Sequence, residues 1–243
     1  MMPEYRKLLK DFARKVLLKN RGDTYNQDGV VFYDPNGNEV VNAGFQSYYR
    51  ENRGEIRKGI VPERYVRISK IVPGKNILEI GSADGTQSLT LARDGKRVCG
   101  IELMSLQFEE ALSLRESWRD MGVTVEDCEF MNVDIMKSLE ILDCFDTVLI
   151  SRVLYHLRAD IEPLFRSIAD SKVRNVVLIG CPLREARWRE KGVTGDTLGK
   201  YAYYASREGM EDILKRCGFE IIHSEPSAVG MVPTVVSSRS VGM

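Results

Sequence analysis

The chain has 243 residues, enough for one large domain with a substantial core. Its make-up, 43% apolar and 29% charged, is that of an ordinary soluble globular protein. Lys+Arg and Asp+Glu are both 35, which excludes a global field that recruits nucleic acid or anionic membrane, though not a local basic face.

No apolar run approaches the roughly 20 residues that span a bilayer, and the charged first stretch, Met1 to Asn20, does not read as a signal peptide. The cysteines at 99, 128, 144, 181 and 217 form no C-x-x-C pair and no metal-ligand cluster. They predict a reducing, cytoplasmic setting and no metal.

In chain order, residues 4–19 read as an amphipathic helix with Tyr5, Leu8, Leu9, Phe12, Val16 and Leu17 on one face and a basic opposite face. It is a packed surface helix, a lid or contact for an anionic substrate, or, last of the three, a membrane-surface contact. Val30 to Tyr33 and Glu39 to Val41 flank Asp34-Pro35-Asn36-Gly37-Asn38, a hairpin signal. Residues 44–59 hold aromatics and several arginines without a clear period and read as an ordered connector that covers a ligand. Pro62 opens a helix over 63–71, and Pro73-Gly74 ends it.

Next comes Asn76-Ile77-Leu78-Glu79-Ile80-Gly81-Ser82-Ala83-Asp84-Gly85-Thr86, read as a buried strand, a tight glycine loop and a helix start. Such loops sit where open α/β sheets bind ligands. Glycine permits positive φ and lets a ligand approach without a Cβ in the way. A dinucleotide fingerprint would need glycine where Ala83 stands and glycine or alanine where Thr86 stands. Asp84 occupies the place of a pyrophosphate, where a carboxylate repels phosphate but suits a cationic ligand. No Gly-Lys-Ser/Thr follows, so a P-loop is excluded.

Helix and strand then alternate, which predicts a parallel sheet. The expected elements are a helix over 86–94, a strand over 97–101 ending at Glu102, a helix over 105–120 and a weaker strand over 123–130. A strand over 147–150, a helix over 160–170 and a strand over 175–179 follow. Ser206 caps a last helix that ends at Gly218, before strands near 219–222 and 233–236. The segment 181–205 is too long for a simple connection, and its Arg184, Arg187, Trp188, Arg189, Lys200, Tyr201, Tyr203 and Tyr204 suit a pocket wall.

The run Glu-x-Gly-x-x-x-Gly at Glu79, Gly81 and Gly85 resembles motif I of the class I S-adenosylmethionine (SAM) dependent methyltransferases, with Ala83 in place of the usual middle glycine. Two further acids extend the resemblance. Glu102 ends the second strand, where an acid can accept hydrogen bonds from both ribose hydroxyls. Asp134 lies past the third strand, where the family places an acid near the adenine amino group, and the same residue reads equally well as a helix cap before Ile135. The run Phe145 to Leu157, with Val-Leu-Tyr-His at 153–156, is similar to carboxy-SAM-using transfer RNA wobble-uridine alkyltransferases and to small-molecule and sugar methyltransferases.

The resemblance implies a Rossmann-like α/β fold, a mostly parallel seven-stranded sheet with helices on both faces. A SAM-binding domain would span 62–243, with 1–61 as a lid or cap. It implies SAM as cofactor, held by Glu79, Gly81, Ser82, Ala83, Asp84, Gly85, Glu102, Leu103, Asp134, Ile135 and Ser151. Tyr155 and His156 would face the departing methyl group. A neutral imidazole, with a free pKa of about 6.5, could take a proton there, or His156 could merely pack. The acceptor is expected to be a small molecule or sugar with an anionic group, bound by Arg184, Arg187, Arg189, Lys200, Tyr203 and Tyr204. A transfer RNA acceptor is the alternative.

Overall fold

The computed structural model describes residues 32–33, 39–40, 53–180, 203–226 and 233–239. The hairpin signal appears as two short antiparallel strands, β1 (Phe32–Tyr33) and β2 (Glu39–Val40). Helices α1 (Arg53–Arg57) and α2 (Glu63–Ile71) precede β3 (Asn76–Ile80), α3 (Thr86–Arg93) and β4 (Arg97–Glu102). The chain continues through α4 (Ser105–Asp120), β5 (Cys128–Asn132), β6 (Thr147–Ser151), α5 (Ile161–Asp170) and β7 (Asn175–Ile179). It ends with α6 (Arg207–Arg216), β8 (Glu220–Glu225) and β9 (Thr234–Ser238).

Seven strands form one sheet in the order β5-β4-β3-β6-β7-β9-β8. The first five are parallel, and β9 runs antiparallel to both β7 and β8. From β3 the chain steps outward to β4 and β5, then crosses back to place β6 on the other side of β3. The sheet's switch point therefore falls between β3 and β6, and it is there that open α/β sheets leave a crevice beyond the strand ends.

The apolar runs are continuous because helices cover both faces of the sheet. Leu78, Val148, Val176 and Leu178 pack with Phe165, Leu164, Ile168 and Ile213 on one face. Their sequence neighbours Ile77, Leu149 and Val177 pack with Leu89, Leu91 and Trp118 on the other. Full burial of each such side chain is worth about 1.5–3 kcal/mol. Ser206 caps α6 as expected, its hydroxyl accepting from Gly209 N at 3.1 Å.

Two elements differ from expectation. The third strand begins at Cys128 rather than 123, because Val123 N bonds back to Trp118 O at the end of α4 and Val125 is buried beside that helix instead of pairing in the sheet. The connector holds a short helix, α1, whose Ile56 joins the core and accepts a 2.7 Å hydrogen bond at its carbonyl from Trp118 Nε1. The expected helix over 4–19 lies outside the described residues.

Asp146 fastens the amino-terminal ends of β3 and β6, away from the switch-point crevice. Its carboxylate accepts from Lys75 N, Asn76 N, Asn76 Nδ2 and Thr147 Oγ1 at 2.9–3.2 Å. Gly74, at φ 77°, passes so close that an added Cβ would lie 2.0 Å from Asp146 Oδ1. Asp146→Ala strips several donors of their acceptor at once and should cost about 1–3 kcal/mol. A lower urea midpoint with unchanged affinity for SAM is expected, since the clamp sits at the far end of these strands.

Candidate functional site

The site grows from the turn after β3. The amides of Gly81 and Ser82 both donate to Ile101 O, at 2.8 and 2.9 Å, so the loop folds over the end of β4. Making that turn requires positive φ at Gly81 (76°), Ala83 (48°) and Gly85 (77°). Glu102, 9% exposed, fixes the loop from below: one carboxylate oxygen accepts from Ala83 N at 2.8 Å and the other from Met104 N at 2.9 Å. Asn132 at the end of β5 holds the next link, its amide donating to the carbonyls of Glu102 and Leu103 at 2.8 and 3.0 Å.

Gly81 and Gly85 have the positive φ expected of them, and they also leave room for neighbouring side chains. A Cβ on Gly81 would meet Val153 Cγ2 at 2.4 Å, and one on Gly85 would meet the Phe130 ring at 2.5 Å. The space their missing side chains leave is filled by protein, which draws the β6 turn and the β5 strand up to the loop.

Three acids gather here. Glu79 is 2% exposed and accepts from Ser88 Oγ at 2.5 Å; burial pushes its carboxyl up to about 8, with Asp84 and Glu102 adding to the effect. Asp84 Oδ1 takes both Thr86 N (3.1 Å) and Thr86 Oγ1 (2.9 Å), closing the first turn of α3. Burial raises the Asp84 pKa, and the Arg53 and Arg64 cations of α1 and α2 oppose that rise. Burial also raises Glu102, against the backbone N–H bonds that favour its charge. Ser82 Oγ and Gln87 Oε1 are buried with no hydrogen-bond partner among the described residues. Asp134 accepts from Met136 N at 2.9 Å and caps the turn Ile135–Lys137, so the capping role is met.

Across the crevice, β6 ends at Ser151, and Arg152 (φ 58°) turns the chain into Val153 and the short helix Leu154–His156. Tyr155 lies within that helix, and His156 is exposed, its amide donating to Val153 O at 2.7 Å. The helical turn Tyr203–Ala205 packs against it. The Tyr203 and Tyr204 rings are 5.5 Å apart, and Arg216 donates to Tyr204 Oη at 3.0 Å. Arg184, Arg187, Arg189 and Lys200 lie outside the described residues.

The sequence reading did not single out Ser88, Val153, Arg53, Arg64 or Asn132. Ser88, nine residues after Glu79 on the first turns of the following helix, was within reach of a spacing argument. The Gly81–Val153 contact carries no local signal.

An open, mostly parallel seven-stranded sheet in this order, with a glycine loop and acids at its switch-point crevice, has the fold of the class I SAM-dependent methyltransferases. Residues 78–173 match the family described as methyltransferase domain. No curated protein matches the chain. Among solved structures the chain is similar in fold to magnesium protoporphyrin IX methyltransferase from Synechocystis PCC 6803 with bound SAH, at 21% identity over 85% of this chain and 91% of that one, TM-score 0.54. It is also similar to a SAM dependent methyltransferase from Aquifex aeolicus, at 12% identity over 85% and 98% of the chains, TM-score 0.52. The residues present fit SAM, because the loop leaves a buried Ser82 hydroxyl without a hydrogen-bond partner among the described residues and the carboxyls of Asp84 and Glu102 lie beside it.

Glu79 gives a pH prediction. A free glutamate titrates near pH 4.3, so between that value and about 8 the folded state keeps a proton that the unfolded state has released. Stability therefore falls as pH rises through this window and is lowest above it. Glu79→Gln keeps the Ser88 hydrogen bond but cannot ionise. Its melting temperature should exceed that of the wild type above pH 8, with a flatter pH profile; a parallel profile would show that Glu79 ionises normally.

Proposed function

We propose that the chain transfers the methyl group of SAM to oxygen or nitrogen of a small-molecule or sugar acceptor that carries an anionic group. Residues 62–243 form the catalytic domain in this reading, with 1–61 as its lid or cap. The cofactor supplies a methyl group activated by a positive sulfonium. Gly81 to Gly85 receive its methionine end, while Glu79 steadies the loop from beneath through Ser88. Each Glu102 oxygen holds one backbone N–H, and a carboxylate oxygen has a second lone-pair direction left for a ribose hydroxyl. Leu103, Asp134 and Ile135 border the adenine, and Ser151, Tyr155 and His156 face the methyl. His156 takes the proton that the acceptor's hydroxyl or ammonium group must lose. Most of the rate comes from holding the acceptor in line with the methyl group.

The observation that carries this reading is the packing of Tyr203–Ala205 against Leu154–His156. It brings the turn that carries Tyr203 and Tyr204 against the turn that follows β6, and in this reading their aromatic side chains exclude water from an acceptor. A fold neighbour, magnesium protoporphyrin IX methyltransferase, is named for a small-molecule substrate. The balance of 35 basic and 35 acidic residues gives no global attraction to RNA.

The test is to supply SAM with either a low-molecular-mass metabolite extract or a total RNA fraction and to measure SAH formation. Turnover with the small-molecule fraction, unaffected by ribonuclease, is expected; turnover confined to RNA would overturn the acceptor class. On the cofactor side, Glu102→Ala loses two ribose hydrogen bonds, each to a charged acceptor and worth about 1.5–3 kcal/mol, so SAM affinity should fall tenfold or more. The same variant should melt lower without ligand, because the amides of Ala83 and Met104 lose their acceptor. Unchanged SAM affinity would remove Glu102 from the site.

A further inference from the structure

Arg152 is held in a backbone conformation that its residue type resists. Its φ of 58° lies in the left-handed region, which glycine enters freely and a long side chain does not. The conformation is imposed from both sides. Arg152 N donates to Ile179 O at 2.8 Å, which ties the turn to the end of β7. Val153, the next residue, is seated in the space left by the missing side chain of Gly81, which ties it to the cofactor loop. The turn alone would be made with less strain by glycine. Strained, over-determined positions of this kind concentrate at functional sites.

The place is the mouth of the switch-point crevice. Ser151 pairs with Ile179 of β7, and Ile150 pairs with Ile80 of β3, so Arg152 stands where the ends of β3, β6 and β7 meet. On the β3–β4 side of the crevice lie the acids Glu79, Asp84 and Glu102, with the Arg53 and Arg64 cations acting on Asp84. Within 147–157 Arg152 is the one Lys or Arg, and it is half-buried. Arg152 stands across the crevice from these acids, at the start of the turn that leads into Tyr155 and His156. A guanidinium offers a planar fork of donors matched to paired oxygens of a carboxylate or phosphate.

We infer that Arg152 is a specificity residue that binds an anionic group of the methyl acceptor, carboxylate or phosphate, and that the strained turn is retained because it sets this guanidinium beside the reacting centre. The inference rests on the reading that the crevice holds SAM.

The experiment uses the full chain saturated with SAH, with inorganic phosphate and citrate as anion probes at ionic strength matched with chloride. SAH affinity is read first by calorimetry, then the melting temperature is followed against each anion for wild type, Arg152→Gln, Arg152→Lys and Arg152→Gly. A saturable rise in melting temperature is expected for the wild type. It should be lost in the Gln and Gly variants and partly kept in the Lys variant, with SAH affinity unchanged in all. Phosphate stabilising where citrate does not would assign a phosphorylated acceptor, and the reverse a carboxylated one. Without anion, Arg152→Gly should melt no lower than wild type, since glycine suits the left-handed turn; this keeps the test clear of misfolding.

Equal anion stabilisation in wild type and the Gln and Gly variants would overturn the inference, as would failure of both anions to stabilise SAH-bound wild type. Failure of the wild type to bind SAH would instead overturn the cofactor reading on which it rests.

Discussion

One carboxylate organises the crevice. Glu102 ends β4 and takes a backbone amide from each of two different loops, Ala83 from the turn after β3 and Met104 from the entry to α4. Both bonds are to a charged acceptor in a nearly dry setting, where such bonds are at their strongest. They hold Ala83 in a left-handed conformation that alanine would otherwise avoid. With Ala83 fixed, Gly81 and Ser82 can share the carbonyl of Ile101, and Gly85 can start α3 against the ring of Phe130. The loop's shape therefore depends on the strand beside it as much as on its own glycines.

The same arrangement gathers three acids in a chain with no net charge. Glu79, Asp84 and Glu102 lie at or under one loop, and burial raises the pKa of each. Taking acids out of water is costly, and the fold offsets the cost locally. Ser88 bonds Glu79, the Thr86 amide and hydroxyl bond Asp84, and the cations of Arg53 and Arg64 act on Asp84 from outside the sheet. A cationic ligand would relieve the remaining strain, and a pyrophosphate would worsen it.

Much of the fold was legible because its strands are covered on both faces and its helices carry ordinary punctuation. The run Asn175–Ile179 is apolar almost throughout, and Ser206, Gly95 and Gly218 mark helix ends where the structure has them. The loop after β3 was legible for a related reason: an acid at a strand end followed by a glycine loop is a local pattern. What stayed hidden depends on distance along the chain. Gly81 reads as room for a ligand until Val153, far away in sequence, is seen to fill that room. Residues 123–127 have the look of a strand, yet Val125 is drawn to Trp118 and α4 rather than to β4. Arg152 gives no sign of its left-handed φ, because its restraints come from Ile179 and Gly81.

The central claim is that this acid-lined crevice selects a sulfonium nucleoside over a dinucleotide. Its most direct test is the melting temperature of the full chain against rising SAM, SAH and NAD, because a ligand of the folded state stabilises in proportion to the logarithm of its saturation. SAM and SAH should raise the melting temperature in a saturable manner, and NAD should leave it unchanged. Stabilisation by NAD alone would contradict the account.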